Sequence, residues 1–158
     1  MDLYRFTTGS PEETEALGER AGELLRTGDV VLLHGDLGAG KSVLARGLAR
    51  GFGVRQAMPS PTFTLMQPYL GRAPFYHFDL YRLEGPEEFH AAGLDEFLGG
   101  DGAAAVEWPE RAELTADSRV EIRIAPGASD RARDIAVRFF GFSRELEMLD
   151  ALARWRAE

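Results

Sequence analysis

The stretch GDLGAGKS, from Gly35 to Ser42, concentrates the chemistry of this chain. Gly35, Gly40, Lys41 and Ser42 fill the pattern G-x-x-x-x-G-K-[ST], in which a glycine-rich loop wraps an anion with its own amides. Gly35, Gly38 and Gly40 permit backbone angles and a close approach that β-carbons would obstruct. With Asp36, Leu37, Ala39 and Val43, they form the segment expected to curl around a nucleoside triphosphate. Lys41 brings a compact ammonium that can bridge the β- and γ-phosphates. Ser42 offers a hydroxyl to Mg²⁺, an ion that takes few protein groups and keeps several waters. Lys41 is also the single lysine of the chain, which has no asparagine at all. That pattern fits a codon bias in which arginine replaces lysine on the surface. The exception falls where a planar guanidinium would overfill a nest lined by backbone.

A triphosphate site with a divalent ion needs carboxylates, placed where apolar strands end on the same sheet edge as the phosphate loop. Two positions fit. Asp79 follows FYHF and Glu107 follows AAAV, each a short apolar run ending in an acid. One would hold the ion or its water shell, and the other would orient the attacking water. An isolated acid in such a place would simply cap a turn; the phosphate loop is what favours the functional reading of Glu107 and Asp79. Trp108 is expected to plug the sheet, with a ligand or partner contact as the alternative. SPTFT, with Ser60, Thr62 and Thr64 between prolines, resembles switch segments that sense a γ-phosphate, or else is a rigid connection. His34, His77 and His90 lack metal-ligand spacing and are expected in core or surface roles.

The elements that must carry these residues follow from hydrophobic period. LYRF (3 to 6) reads as a strand. SPEETEALGERAGELLRTG reads as a helix with Ser10 as N-cap, Pro11 at its first position, Glu13 closing a capping box and Gly28 ending it. VVLLH (30 to 34) is a continuous apolar run of the kind buried on both faces of a parallel sheet. After the loop, Val43, Leu44, Leu48 and Phe52 recur at helical spacing. Extended segments are expected within 60 to 69 and 74 to 83, a short helix from Pro86 to Gly93, and a buried strand at 103 to 108 that Pro109 stops. RVEIRIAP and RDIAVRFFG alternate as the arms of an antiparallel hairpin. The chain closes on an amphipathic helix, about 143–157, with Leu146, Leu149 and Leu152 on one side. The expected fold is α/β: residues 1–158 as one P-loop NTPase domain, with a central parallel sheet, an antiparallel extension and flanking helices.

Composition narrows the function classes. With no cysteine among 158 residues, disulfides, thiolate metal sites and a cysteine nucleophile are excluded. The net charge of -8 opposes nonspecific binding to nucleic acid, so any nucleic acid is expected to be held by a partner. No apolar run approaches a membrane span, and the acidic N-terminus is unlike a signal peptide, so a soluble, cytoplasmic protein is expected.

Together, GDLGAGKS, SPTFTL, YHFDLYRL and VEWPER resemble the TsaE family of bacterial ATPases required for threonylcarbamoyladenosine in tRNA. The resemblance runs from about Ser10 to Ala136. It implies an ATP- and Mg²⁺-dependent ATPase that assembles with TsaB and TsaD, slow alone and stimulated by them. It further implies Gly38 through Ser42 as the phosphate loop, Ser42 and Glu107 as magnesium contacts, Asp79 as a further acid near the ion, and Thr62 as a switch residue. Arg131, in the hairpin turn, is similar to a position near the nucleotide. The family usually carries threonine where this chain has Ser42, and the metal-binding hydroxyl is retained. A small-molecule P-loop kinase is the alternative. A GTP-driven switch is disfavoured, because a chain without asparagine lacks the usual guanine-reading loop.

Overall fold

Strand β2, Val30–His34, is the axis of the molecule, and four of its five residues are buried, as its uninterrupted apolar run requires. The computed structural model describes residues 2–59 and 64–157. Besides β2 it contains β1 (Tyr4–Thr8), β3 (Met66–Leu70), β4 (Pro74–Asp79), β5 (Ala103–Glu107), β6 (Arg119–Pro126) and β7 (Arg133–Phe140). These form one sheet in the order β1-β7-β6-β2-β5-β4-β3. The pairs β6-β2, β2-β5 and β5-β4 are parallel, whereas β1-β7, β7-β6 and β4-β3 are antiparallel. The parallel centre with antiparallel flanks is the expected α/β architecture.

Helices α1 (Pro11–Gly22) and α2 (Lys41–Gly51) cover one face of the sheet. Ser10 caps α1 by accepting from the Glu13 N–H at 3.2 Å, and the Glu13 carboxylate reaches back to the Gly9 N–H at 3.1 Å. The helix stops at Gly22 instead of running to Gly28. Its end is held by Arg72, whose guanidinium donates to the carbonyls of Gly22, Glu23 and Leu25 at 3.2, 3.3 and 2.9 Å. The same group reaches the Gly51 carbonyl at 2.8 Å, so one side chain satisfies the orphan acceptors at the ends of both helices. On the opposite face, α3 (Pro86–Ala91) and the 3₁₀ turns Leu94–Phe97 and Pro109–Ala112 pack over β2, β5 and β4.

The C-terminal segment also departs from expectation. Helix α4 spans only Glu145–Ala151, and a 3₁₀ turn Ala153–Trp155 follows. Leu146 is 77% exposed, while Met148, Leu152 and Trp155 enter the core. A longer helix would carry Arg156 and Ala157 away from β1; instead Arg156 bridges Phe6, and the Ala157 N–H donates to the Arg5 carbonyl at 2.9 Å.

Candidate functional site: a phosphate loop facing two strand-end carboxylates

The loop leaves β2 at His34 and enters α2 at Lys41, and two of its glycines sit where a β-carbon is costly. Gly35 has φ +154°, and a β-carbon there would lie 2.6 Å from the Ile124 carbonyl of β6. Gly40 sits at φ +111° as the residue before the first turn of α2, a left-handed conformation that costs other residues free energy. The result is a helix N-terminus whose unpaired N–H groups face outward beside the loop, the arrangement that receives phosphate. Arg133 at the start of β7 braces the loop from behind, its Nε donating to the Ala39 carbonyl at 2.7 Å.

Lys41 is buried and folded back on its own loop. Its Nζ donates to the carbonyl of Gly35 and, at 2.9 Å, to that of Asp36, and lies 4.0 Å from the centre of the Trp108 ring. Burial pulls its pKa below the ordinary lysine value, against the opposing pull of Glu107, Glu110, Asp79 and Asp36. Trp108 adopts φ +60°, outside the strand it follows, which turns its ring over the lysine and against Tyr81 at 5.0 Å between centroids.

Strand pairing sets the two acids side by side. Asp79 and Glu107 are register partners at the ends of β4 and β5, and both are buried on the face that carries α2. The Ser42 hydroxyl is 3.0 Å from each Glu107 oxygen, and His77 Nε2 meets Glu107 Oε2 at 2.6 Å. Asp79 accepts from the Tyr81 N–H at 3.1 Å. A cavity of about 510 Å³ opens over these groups, lined by Leu37 through Val43 together with Asp79, Tyr81, Arg82, Glu107 and Trp108.

Compared with known families, residues 8–135 match the model described as TsaE, threonylcarbamoyl adenosine biosynthesis protein. The chain belongs to the TsaE family. It is 38% identical over 151 residues to the tRNA threonylcarbamoyladenosine biosynthesis protein TsaE of Bacillus subtilis, covering 94% of this chain and 92% of that one. It is 44% identical over 124 residues to the TsaE of Streptomyces coelicolor, covering 75% and 83%. Among solved structures it is similar to the crystal structure of Bacillus subtilis YdiB, with TM-score 0.77, 32% identity and coverage of 97% and 95%.

Within this TsaE-family chain, the structure brings Leu37, Gly38, Ala39, Gly40, Lys41, Ser42, Val43, Asp79 and Glu107 to one cavity. Gly35 and Asp36 stand behind it and hold Lys41 through their carbonyls. Thr62 and Ser60 lie outside the described residues. Arg131 does not join the cavity lining: it is exposed and pairs with Glu12 at 2.7 Å, because the hairpin turn directs it toward the start of α1. Arg133, two residues on, reaches the phosphate loop instead. Sequence reasoning passed over Arg82, Tyr81 and the His77 contact with Glu107. The alternation in FYHFD carried the last signal, since His77 and Asp79 are two apart and must share a face.

Proposed function

We propose that this chain binds ATP with Mg²⁺ in the 510 Å³ cavity and hydrolyses the γ-phosphate to water, in the service of threonylcarbamoyladenosine formation on tRNA. The observation that carries this reading is the convergence of Ser42 Oγ on both oxygens of Glu107, 3.0 Å away, beside Asp79 and at the N-terminus of α2. Among the described residues, no cluster of three histidine or acidic side chains could hold a metal by itself. A site with a hydroxyl and two carboxylates therefore suits an ion that takes most of its ligands from phosphate and water, which is the habit of Mg²⁺. Ser42 and Glu107 would hold that ion, with Asp79 next to it. When bound, it neutralises phosphate charge and polarises the γ-phosphoryl group.

The protein's own groups supply the rest. Lys41 exchanges its two carbonyl contacts for phosphate oxygens, which are stronger, charge-assisted acceptors. His77 fixes the orientation of Glu107 from behind. Asp79 would orient a water toward the γ-phosphate, and Trp108 with Tyr81 would roof the lysine and reduce solvent access. The assembly we assign to the chain includes TsaB and TsaD, which stimulate a slow intrinsic ATPase and hold the tRNA; the net charge of -8 is consistent with that division of labour. Among the described residues, no helix is long and apolar enough to cross a membrane, and a tRNA-directed role supports the cytoplasmic location we assign.

ATP labelled at the γ-phosphate tests this directly. Label is expected in inorganic phosphate, slowly with the chain alone and faster with TsaB and TsaD. Label on a small metabolite would establish the kinase alternative instead. Glu107→Gln keeps the shape of the side chain and removes its charge; we expect hydrolysis to fall by about a hundredfold or more while the nucleotide is still bound. Unchanged phosphate release by that variant would defeat the assignment.

A further inference from the structure

The sheet face turned away from α1 and α2 is covered over β2, β5 and β4, but among the described residues no helix packs over its antiparallel end. There the register sets out three cross-strand rows. Arg119 stands opposite Phe140, Glu121 opposite Arg138, and Arg123 and Arg5 flank Ala136. Arg5, Arg123 and Arg138 are exposed. Among the described residues none of the three guanidinium groups makes a hydrogen bond or an ion pair. The acid opposite Arg138 is already taken: Glu121 accepts from Arg119 Nε at 2.7 Å and meets His34 Nε2 at 2.9 Å, and Arg138 makes no ion pair with it. Burial alone would raise the Glu121 pKa, and the hydrogen bonds from Arg119 and His34 outweigh it and keep the pKa low.

Shape accompanies the charge. Because Ala136 is small, a groove runs between Arg5 and Arg123, and a cavity of about 250 Å³ lies on each side of that row. The first has Leu3 and Phe140 in its wall, so apolar surface adjoins the guanidinium groups. The outer edge of β1 is not open for strand addition, since the Ala157 N–H already donates to the Arg5 carbonyl. Binding here must therefore use the face.

We propose that the bare face of β1, β7 and β6 is a docking surface for a partner protein, which presents a short segment carrying two or three carboxylates separated by apolar residues. Guanidinium forks match carboxylates in pairs, and Arg5 and Arg123, two strands apart, set the spacing at roughly 10 Å. RNA suits the face less well. Its ring, Phe140, is capped by the Arg119 guanidinium at 3.7 Å and offers no stacking platform, and Glu121 and Asp134 would oppose a continuous phosphate chain. A chain of net charge -8 repels a long polyanion, whereas a segment of few charges meets the local arginines with little long-range penalty. This inference does not depend on the nucleotide site.

The test uses the full chain without nucleotide and a fluorescein-labelled peptide of glutamate, leucine and alanine as probe. Anisotropy should rise at low salt and fall as salt is added. The triple variant R5E/R123E/R138E should weaken binding by about tenfold or more, while R26E/R50E/R55E, with the same net charge, should bind like the wild type. Amide NMR shifts on adding peptide should concentrate in β1, β6 and β7. Retained circular dichroism and melting temperature would show that both triple variants are folded. No binding at low salt, equal loss in the two triple variants, or shifts centred elsewhere would overturn the proposal. Tighter binding of an oligouridylate than of the peptide would overturn it too, by making the face a nucleic-acid surface.

Discussion

Lys41 is held by two loop carbonyls and a tryptophan ring, so its ammonium is in place before any phosphate arrives. Burial keeps its pKa below the usual 10.5. Between that lowered value and 10.5 the folded chain binds fewer protons than the unfolded one, so this residue makes stability rise with pH across that window. ATP binding runs the other way, because it needs the charged form. We expect affinity to fall as pH climbs through the lowered value, and Lys41→Ala to bind about tenfold to a hundredfold more weakly at neutral pH without that alkaline fall. Calorimetric titrations from neutral to alkaline pH would expose a wild type and variant with parallel profiles, which would refute the role. Its place at the cavity was legible from its rarity and its position after Gly40, that of Ser42 from the same glycine-rich pattern, and those of Glu107 and Asp79 from strand ends. Arg133 and Arg72 were not, because an arginine that bonds to a distant carbonyl leaves no periodic trace in the sequence.

At the level of elements, what places the phosphate loop is the contact of α2 with α1, and glycine makes that contact possible. A β-carbon on Gly47 would lie 2.3 Å from the Glu15 carbonyl, and one on Gly22 would lie 2.1 Å from that of Leu48. The two helices therefore touch backbone to backbone, which fixes where the first turn of α2 points. Helix propensity alone says that Gly47→Ala should stabilise by about 1 kcal/mol. The structure reverses the sign: the added methyl has to push two backbones apart, at a cost of about 1–3 kcal/mol net. Thermal unfolding should show a melting temperature lower by roughly 2–10 °C, with weaker MgATP binding because the loop moves with its helix. A melting temperature above that of the wild type would show that the helices can separate freely. Most strands could be read from alternation and from apolar runs, but the end of α1 could not. Its stripe of leucines continues to Leu25, which is buried after the helix has already ended, so burial there comes from a turn.

Across the whole molecule, the nucleotide cavity and the C-terminal segment lie in different regions yet share one core. Phe142, Met148, Leu152 and Trp155 pack with Phe6, Leu17 and the inward side chains of β6 and β7, and the same cluster includes Leu44 and Leu48 of α2. The family match ends at residue 135, within β7, so everything beyond it could be mistaken for an appendage. The packing argues otherwise: Arg144 donates to the Leu24 carbonyl at 3.1 Å and pairs with Asp29, tying the segment to the turn before β2. Sequence periodicity suggested leucines as the buried stripe. It missed that Trp155, past the end of α4, supplies the larger apolar surface and is 6% exposed. Trp155→Ala should therefore cost about 3–5 kcal/mol and lower the melting temperature on the order of 10 °C. Because Trp155 lines no part of the phosphate cavity, MgATP affinity of the folded variant should stay within about twofold of wild type. Calorimetric melting alongside a nucleotide titration separates the two effects. Undiminished stability would mean that the segment rests on the domain without supporting it, and a lost affinity in a still-folded protein would mean that it reaches the nucleotide through α2.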